Sequence, residues 1–468
     1  MPSKGIQAYS YLAVPDSKVT FYVPKGDRTH TQFRNFSNDH LEVDSSNIDG
    51  FFNYTGRFGF RVYKDNKELT HQWVEVNSMT GNLGDGTMNR IEQMRTVSTE
   101  GVMISYGFYD AGSGKFGLPD RHQCYVTVSF DNSSWIEQVA PEGSAAAEKL
   151  VSHLALPCAH DCGMNDMQNT DVILSSPAVS LFTQLLAHIP GLGTALSIVI
   201  RTGYARKVIY ALSITQKDSV RDMLHLGARY FEFRPAQLPS DLHRLSGLPE
   251  KYYFVHAVIP GLAFDAFLDT AIEFLDSNRN EIVVIHLRSD GVLDQCTKFN
   301  NAEADKVVSK ALSRRNSSLQ VASEEDLKSS TIAQLRIAHK RLVVVKEASQ
   351  YSSYDDIANA TLNGNTIIQR FEGLKRQDQA NYTFTILQCQ ATATNINELV
   401  AYSATASNAA TSVLMATKAV CDIKTLEWIN RNAASRLESN KSLVIMNDWL
   451  DGATCDVAIE LSKQRLQN

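Results

Sequence analysis

Long apolar runs are scarce in this chain, and none reaches the roughly 20 residues that a membrane-spanning helix needs. The nearest, Leu185 to Ile200, is interrupted by His188, Pro190, Gly191 and Gly193. Any membrane contact is therefore expected to be peripheral. Met1 to Val14 has no apolar core of the secretory type, because Ser3, Lys4, Gln7, Tyr9 and Ser10 break it up. Basic runs are absent, and Lys+Arg at 45 fall short of Asp+Glu at 51, giving a net charge of −6. That balance argues against nucleic acid as the main partner. Cysteine is sparse and odd in number: seven residues, scattered, with only Cys158 and Cys162 close together. The pattern reads as reduced thiols in a cytoplasmic protein, and no second Cys pair or His-rich motif completes a zinc site.

The remaining composition is that of a folded globular protein: 468 residues, 43% hydrophobic, 21% charged and 9% aromatic. This length suits one large barrel plus a smaller domain. Residues 1–141 read as an all-β, sandwich-like domain. Short runs rich in Val, Phe, Tyr and Thr recur there, as in Val19–Val23, Arg57–Tyr63, Gln72–Val76, Val102–Tyr106 and Cys124–Phe130, punctuated by Gly, Asn and Asp clusters. Residues 142–148 form the linker. Over 149–468 the rhythm changes to short apolar strands alternating with longer helical patterns, the mark of βα units and a parallel sheet. Strands are expected at His153–Pro157, Arg229–Arg234, Tyr252–His256, Ile282–Leu287, Leu342–Lys346, Thr383–Gln388 and Leu443–Asp448. The apolar spacing at 264, 267, 268, 271, 272, 274 and 275 predicts a helix over Leu262–Asp276. Seven or eight such units suit an α/β fold of the TIM-type (β/α) barrel kind, and no Gly-rich phosphate loop follows the first strand to favour an open doubly wound sheet.

In such a barrel chemistry sits where strands end, and these ends carry a coherent set of polar residues. The first is followed by His160 and Asp161, the second carries Glu232 and Arg234 on one side, the third ends in His256 and the last in Asp448. A lone strand-end histidine is usually structural, as His225, His243 and His286 are taken to be, in a helix, a loop and an apolar strand respectively. Two histidines, a guanidinium and several carboxylates at one mouth are instead the equipment for attack on a phosphate ester.

The run Leu156-Pro-Cys-Ala-His160-Asp161-Cys-Gly163 resembles the "PGTHDSG" motif of the phosphatidylinositol-specific phospholipase C X-domain family. The rest follows in order. Ile214-Thr-Gln216 with Met223 to Arg234, Tyr252 to His256, Phe267 to Leu287, and Ile445-Met-Asn-Asp448-Trp-Leu resemble that family's later segments, over about 149–468. The resemblance implies a PLC-like phosphodiesterase barrel in which His160 is the general base and His256 the general acid. Asp448 would orient His160, Arg234 would neutralise the phosphate, and Glu232 and Asp161 would complete the polar network. Attack through a cyclic inositol phosphate would make the step formally a lyase reaction on phosphatidylinositol or a related phosphodiester. Arg288 and Lys346 are candidates for holding the phosphate or ring hydroxyls. In the family's calcium-dependent branch two acidic ligands hold the ion; here Arg234 takes that place, so a metal-independent, bacterial-like mechanism without cofactor is expected.

The sequence departs from the family pattern at Cys158 and Ala159, at Ala257 where glycine commonly follows the second histidine, and in the long segment 164–213. The apolar portion of that segment, Leu181 to Ile200, suits a lid, an interfacial anchor or a kinked core helix. Tyr54, Trp73 and Tyr106 would serve headgroup or glycan binding if exposed, or core packing if not. Two further readings stay open: a catalytically altered barrel that binds lipid or glycan without turning it over, and a hydrolase of another substrate.

Overall fold

The computed structural model describes residues 2–112, 120–189, 205–392, 412 and 414–467. The N-terminal part contains β1 (Ser3–Leu12), β2 (Ser17–Val23), β3 (Gly26–His30), β4 (Phe36–Asp44), β5 (Thr55–Lys64), β6 (Lys67–Asn77), β7 (Leu83–Gly86), β8 (Val97–Thr99), β9 (Val102–Tyr109) and β10 (His122–Phe130). They form two five-stranded sheets, ordered β4-β1-β10-β9-β8 and β3-β2-β5-β6-β7. Every pairing is antiparallel except β1 with β10, which run parallel from Ile6↔His122 to Leu12↔Val128. Strict alternation builds the sandwich: Phe58, Phe60 and Val62 of β5 are buried while Arg57 and Arg61 face solvent. Phe58 meets Phe108 at 5.7 Å and Phe60 meets Tyr106 at 5.2 Å, joining the sheets through ring contacts. Tyr106 is therefore core. Trp73 is half-buried, with the Arg57 guanidinium 4.0 Å from its ring centre, and Tyr54 is half-buried too.

The second part contains β11 (Ala155–Ala159), β12 (Tyr230–Phe233), β13 (Pro235–Gln237), β14 (Tyr253–His256), β15 (Ile259–Ala263), β16 (Val283–Leu287), β17 (Thr297–Lys298), β18 (Val321–Ala322), β19 (Leu342–Lys346), β20 (Gln350–Ser352), β21 (Phe384–Gln388) and β22 (Leu443–Asn447). Eight form an all-parallel sheet ordered β18-β19-β16-β12-β11-β22-β21-β20. The expected closed barrel is not what these strands build, because no ladder joins the two edge strands, β18 and β20. Glu347, at a φ of 50°, turns the chain straight after β19, and residues 350–352 pair only with β21. Side-chain bonds tie the turn after β19 to the inner strands: His286 accepts from Ala348 N at 3.0 Å and shares its Nδ1 with Tyr230 Oη at 2.6 Å and Gln350 at 3.1 Å.

The strand expected over Tyr252–His256 exists but lies outside the parallel sheet. β14 pairs antiparallel with β13 and β15. Ala257, at a φ of 58°, makes the tight turn from β14 into β15, which explains why glycine suits this position. The helix expected near Leu262–Asp276 spans Phe264–Ser277, with all seven anticipated apolar positions buried. His243 lies in helix Ser240–Ser246, not in a loop. Of the apolar stretch Leu181–Ile200, the part from 190 onward lies outside the described residues, and helix Val179–Leu186 buries Phe182, Leu185 and Leu186. Among the described residues, no helix is long and apolar enough to cross a membrane.

The two parts share one continuous apolar core, running from Ile6 of β1 to Cys455 beyond β22. Polar links seal the junction. Tyr11 Oη donates to Asp456 at 2.8 Å, and Arg34 reaches Asp456 at 2.9 Å and Glu460 at 2.8 Å. Buried Arg229 contacts Glu281 at 2.7 Å while donating to the carbonyls of Asn132 and Ser133.

Candidate active site at the ends of the parallel strands

Neighbouring strands bring the polar residues of separate sequence segments to one place. β11 is paired on one side with β22, in a register that sets Ala159 beside Asn447, and on the other with β12. The residues that follow, His160 and Asp448, are thereby side by side, and His160 Nδ1 lies 2.7 Å from Asp448 Oδ1. Asp161 comes next at a φ of 44°, a left-handed conformation in which a non-glycine residue is strained. That conformation turns its carboxylate inward, 3.8 Å from His160 Nε2 and 3.9 Å from His256 Nε2. Asp161 thus stands between the two imidazoles.

Arg234, just beyond β12, lies across two carboxylates. Its Nε and Nη2 donate to Glu232 Oε1 at 2.9 and 2.7 Å, and Nη2 is 2.9 Å from Asp161 Oδ1. Glu232 Oε2 accepts from Arg288 Nη1 at 3.1 Å, and Arg288 also pairs with Asp290 at 2.7 Å. His256 enters from the β14–β15 turn. Its position depends on two glycines. A Cβ on Gly163 would lie 2.3 Å from Phe254 Cβ and 2.5 Å from its ring, and one on Gly261 would lie 2.1 Å from Gly163 O. Only bare backbone lets the loop after β11 pack this tightly on the hairpin, with Leu262 N donating to Gly163 O at 2.8 Å.

Burial opposes a charged His160, but the carboxylates of Asp161 and Asp448 outweigh it and raise the imidazolium to about 9. Burial lifts Asp448 above the usual carboxylate range even though His160 pulls the other way; the proton of this pair belongs on His160, which two carboxylates share. Asp161 is pushed up by burial but held at about 2 by Arg234 and then by both imidazoles. His256 moves below its ordinary 6.5, through loss of water around the ring and the nearby charges of Arg234 and His160, against the pull of Asp161. The site therefore holds one imidazolium and one neutral imidazole.

No protein-family model matches the chain. No curated protein matches it either. Among solved structures it is similar to the phosphatidylinositol-specific phospholipase C from Listeria monocytogenes, at 14% identity and a TM-score of 0.40, with 71% of this chain and 98% of that chain covered. It is likewise similar to the phosphatidylinositol-specific phospholipase C from Staphylococcus aureus, at 13% identity and a TM-score of 0.40, covering 70% and 97%.

Of the eight residues singled out in the sequence, seven meet here: His160, Asp161, Glu232, Arg234, His256, Arg288 and Asp448. Lys346 does not join them. Its Nζ donates to Asp305 at 2.6 Å and to Asn301 O at 3.3 Å, because helix Asn301–Arg314 offers it a carboxylate outside the cluster. His225 pairs with Asp131 at 2.9 Å and His243 with Glu250 O at 2.8 Å, both away from the site. Cys158 and Cys162 are buried, and burial pushes both thiols well up. Thr215, Gln216 and Asn447, to which the sequence reading gave no role, bond to the backbone of the site; the run Ile214-Thr-Gln216 was visible, but its partners lie far away in sequence. Among the described residues no group of three or more His, Cys, Asp or Glu side chains is placed to hold a metal ion.

Proposed function

We propose that this protein cleaves a phosphodiester next to a free hydroxyl, with phosphatidylinositol or a related inositol phosphodiester as substrate class. The observation that carries the reading is the placement of Asp161 between His160 Nε2 and His256 Nε2, at 3.8 and 3.9 Å, with Arg234 against the same carboxylate. In the reaction His160 takes the proton of the neighbouring hydroxyl as its oxygen bonds to phosphorus. The bond to the leaving oxygen breaks, His256 supplies that oxygen with a proton, and a cyclic phosphate results. Asp448 holds the base by its other ring nitrogen. At rest the pair's one proton sits on His160, so the reactive form is the minor one in which the proton has moved to His256 and His160 is neutral; Asp161, between the two rings, favours an imidazolium on either side. Arg234 Nη1, free of the Glu232 and Asp161 contacts, is available to a phosphate oxygen as charge builds there.

Arg234 also supports a metal-independent reading, since its guanidinium already spans the Asp161 and Glu232 carboxylates. The test is release of water-soluble inositol phosphate from phosphatidylinositol vesicles in excess chelator. Release is expected from the wild type and a loss on the order of 10²-fold or more from His160→Ala. No release from either folded protein would exclude this substrate class.

Peripheral membrane contact belongs to the same reading, and Phe51 and Phe52, 94% and 81% exposed at a tip of the sandwich, support it. Replacing both by Ser is expected to reduce cosedimentation with those vesicles; unchanged cosedimentation would remove the tip from the contact. A cytoplasmic setting is supported by the seven cysteines, all free and buried.

A further inference from the structure

Between helices Ala205–Ser213 and Val220–Leu226 the chain runs past the site without regular structure. Four successive polar residues are buried there, Thr215, Gln216, Lys217 and Asp218, at 5%, 1%, 3% and 2% exposure. Burying polar groups is unfavourable unless each finds partners; the loop after β11 supplies some, with Met164 O accepting from Thr215 N and Gln216 N and Asn165 Nδ2 donating to Asp218 O at 3.0 Å, and the rest fall into two sets.

The first set is the site. Gln216 Nε2 donates to His160 O at 2.8 Å and to Asn447 O at 3.1 Å, while its Oε1 accepts from Leu450 N at 2.9 Å. One amide thus spans the ends of β11 and β22, the strands that present His160 and Asp448. Thr215 Oγ1 donates to the carbonyls of His160 and Asp161, both at 3.2 Å, and Thr215 O accepts from Trp449 N at 2.7 Å. The second set is the sandwich. The Asp218 carboxylate accepts from Thr96 N and Thr96 Oγ1, each at 2.7 Å. Lys217 Nζ donates to Thr96 Oγ1 at 3.2 Å and Asp218 at 2.7 Å, and Arg95 donates to Lys217 O.

We propose that the sandwich is a positioning part of the site: Thr96 and Arg95 grip the strap Thr215–Asp218, and Gln216 is the positioning residue through which that grip fixes His160 against Asp448. The chemistry served rests on the phosphodiester reading, whereas the grip is read from these bonds alone. Loosening either end of the strap lets the 2.7 Å contact between His160 and Asp448 lengthen, and the imidazolium loses a nearby opposite charge.

The test is an NMR titration of the histidine rings in the full-length wild type, Thr96→Val, Thr96→Ser and Gln216→Leu. In Thr96→Val and Gln216→Leu the His160 midpoint is expected to fall by about one pH unit or more, with Thr96→Ser close to wild type. Where turnover is measurable, kcat falls and KM holds. An unchanged His160 midpoint in folded Thr96→Val overturns the proposal, and this variant decides even if Gln216→Leu fails to fold. A wild type without phosphodiesterase activity would strike the reading of function and leave the titration to settle the strap.

Discussion

His160 and His256 differ because of what surrounds each ring. Two carboxylates face His160 and hold its proton to about 9, whereas the charges of Arg234 and His160 add to desolvation in taking His256 below 6.5. Turnover is therefore expected to follow a bell in pH. It falls above about 9, where the pair loses its single proton, and below a limit under 6.5, where His256 gains a second one. In Asp448→Asn the upper limit moves down toward 6.5 and turnover drops on the order of 10²-fold or more; an unmoved upper limit would show that Asp448 does not hold that proton. The sign for stability is the same: the His160 pairing contributes fully below its ordinary 6.5 and fades as pH rises through about 9. These residues were legible in sequence because each polar residue directly follows or ends an apolar strand run, although the hairpin that carries His256 lies outside the parallel sheet. The direction of Lys346 was not, since it depends on Asp305 in a helix packed alongside, and Gln216 was not, since its three partners come from two other segments.

At the scale of elements, the hairpin that carries His256 is held to the β11 loop by glycine contacts rather than by a ladder. Gly163→Ala would set a methyl 2.3 Å from Phe254 Cβ and 2.5 Å from its ring. The hairpin must then shift, at a cost of about 1–3 kcal/mol, and turnover falls because His256 moves with it. Urea denaturation and kinetics of the variant check this; full stability with full turnover would mean that the hairpin yields freely. The strands expected over 149–468 all form within about two residues of their anticipated limits, because apolar runs bounded by turn residues are local signals, whereas β6 starts five residues before the run at Gln72 and β9 ends three after Tyr106. Pairing was less legible. β14 reads like its parallel neighbours until the turn at Ala257 sends the chain back along it. The strands β18 and β20, two and three residues long, leave no periodicity to read. The left-handed turn at Glu347, straight after β19, is likewise not announced by composition.

The whole molecule is expected to behave as one unit, because the sandwich and the parallel sheet share a core and buried polar groups cross the junction. Arg229 and Glu281 are 0% and 1% exposed, and Glu281 also accepts from the backbone of Ile136 and Glu137. Removing one partner leaves the other buried and uncompensated, so Glu281→Gln is expected to cost about 3–5 kcal/mol. The full chain should unfold in a single calorimetric transition, and two resolved transitions would refute the shared core as the source of its cooperativity. The same wiring has a consequence during synthesis. β1 sits between β4 and β10 and cannot be enclosed before residue 130 is made, and β11 waits for β22, its partner from Ala155↔Leu443 onward. At about 5–20 residues per second, the strand leading to His160 stays without that neighbour for roughly 15–60 s after it leaves the ribosome. A nascent chain that stops short of Asp448 has both histidines but neither β22 beside β11 nor the carboxylate that His160 Nδ1 meets.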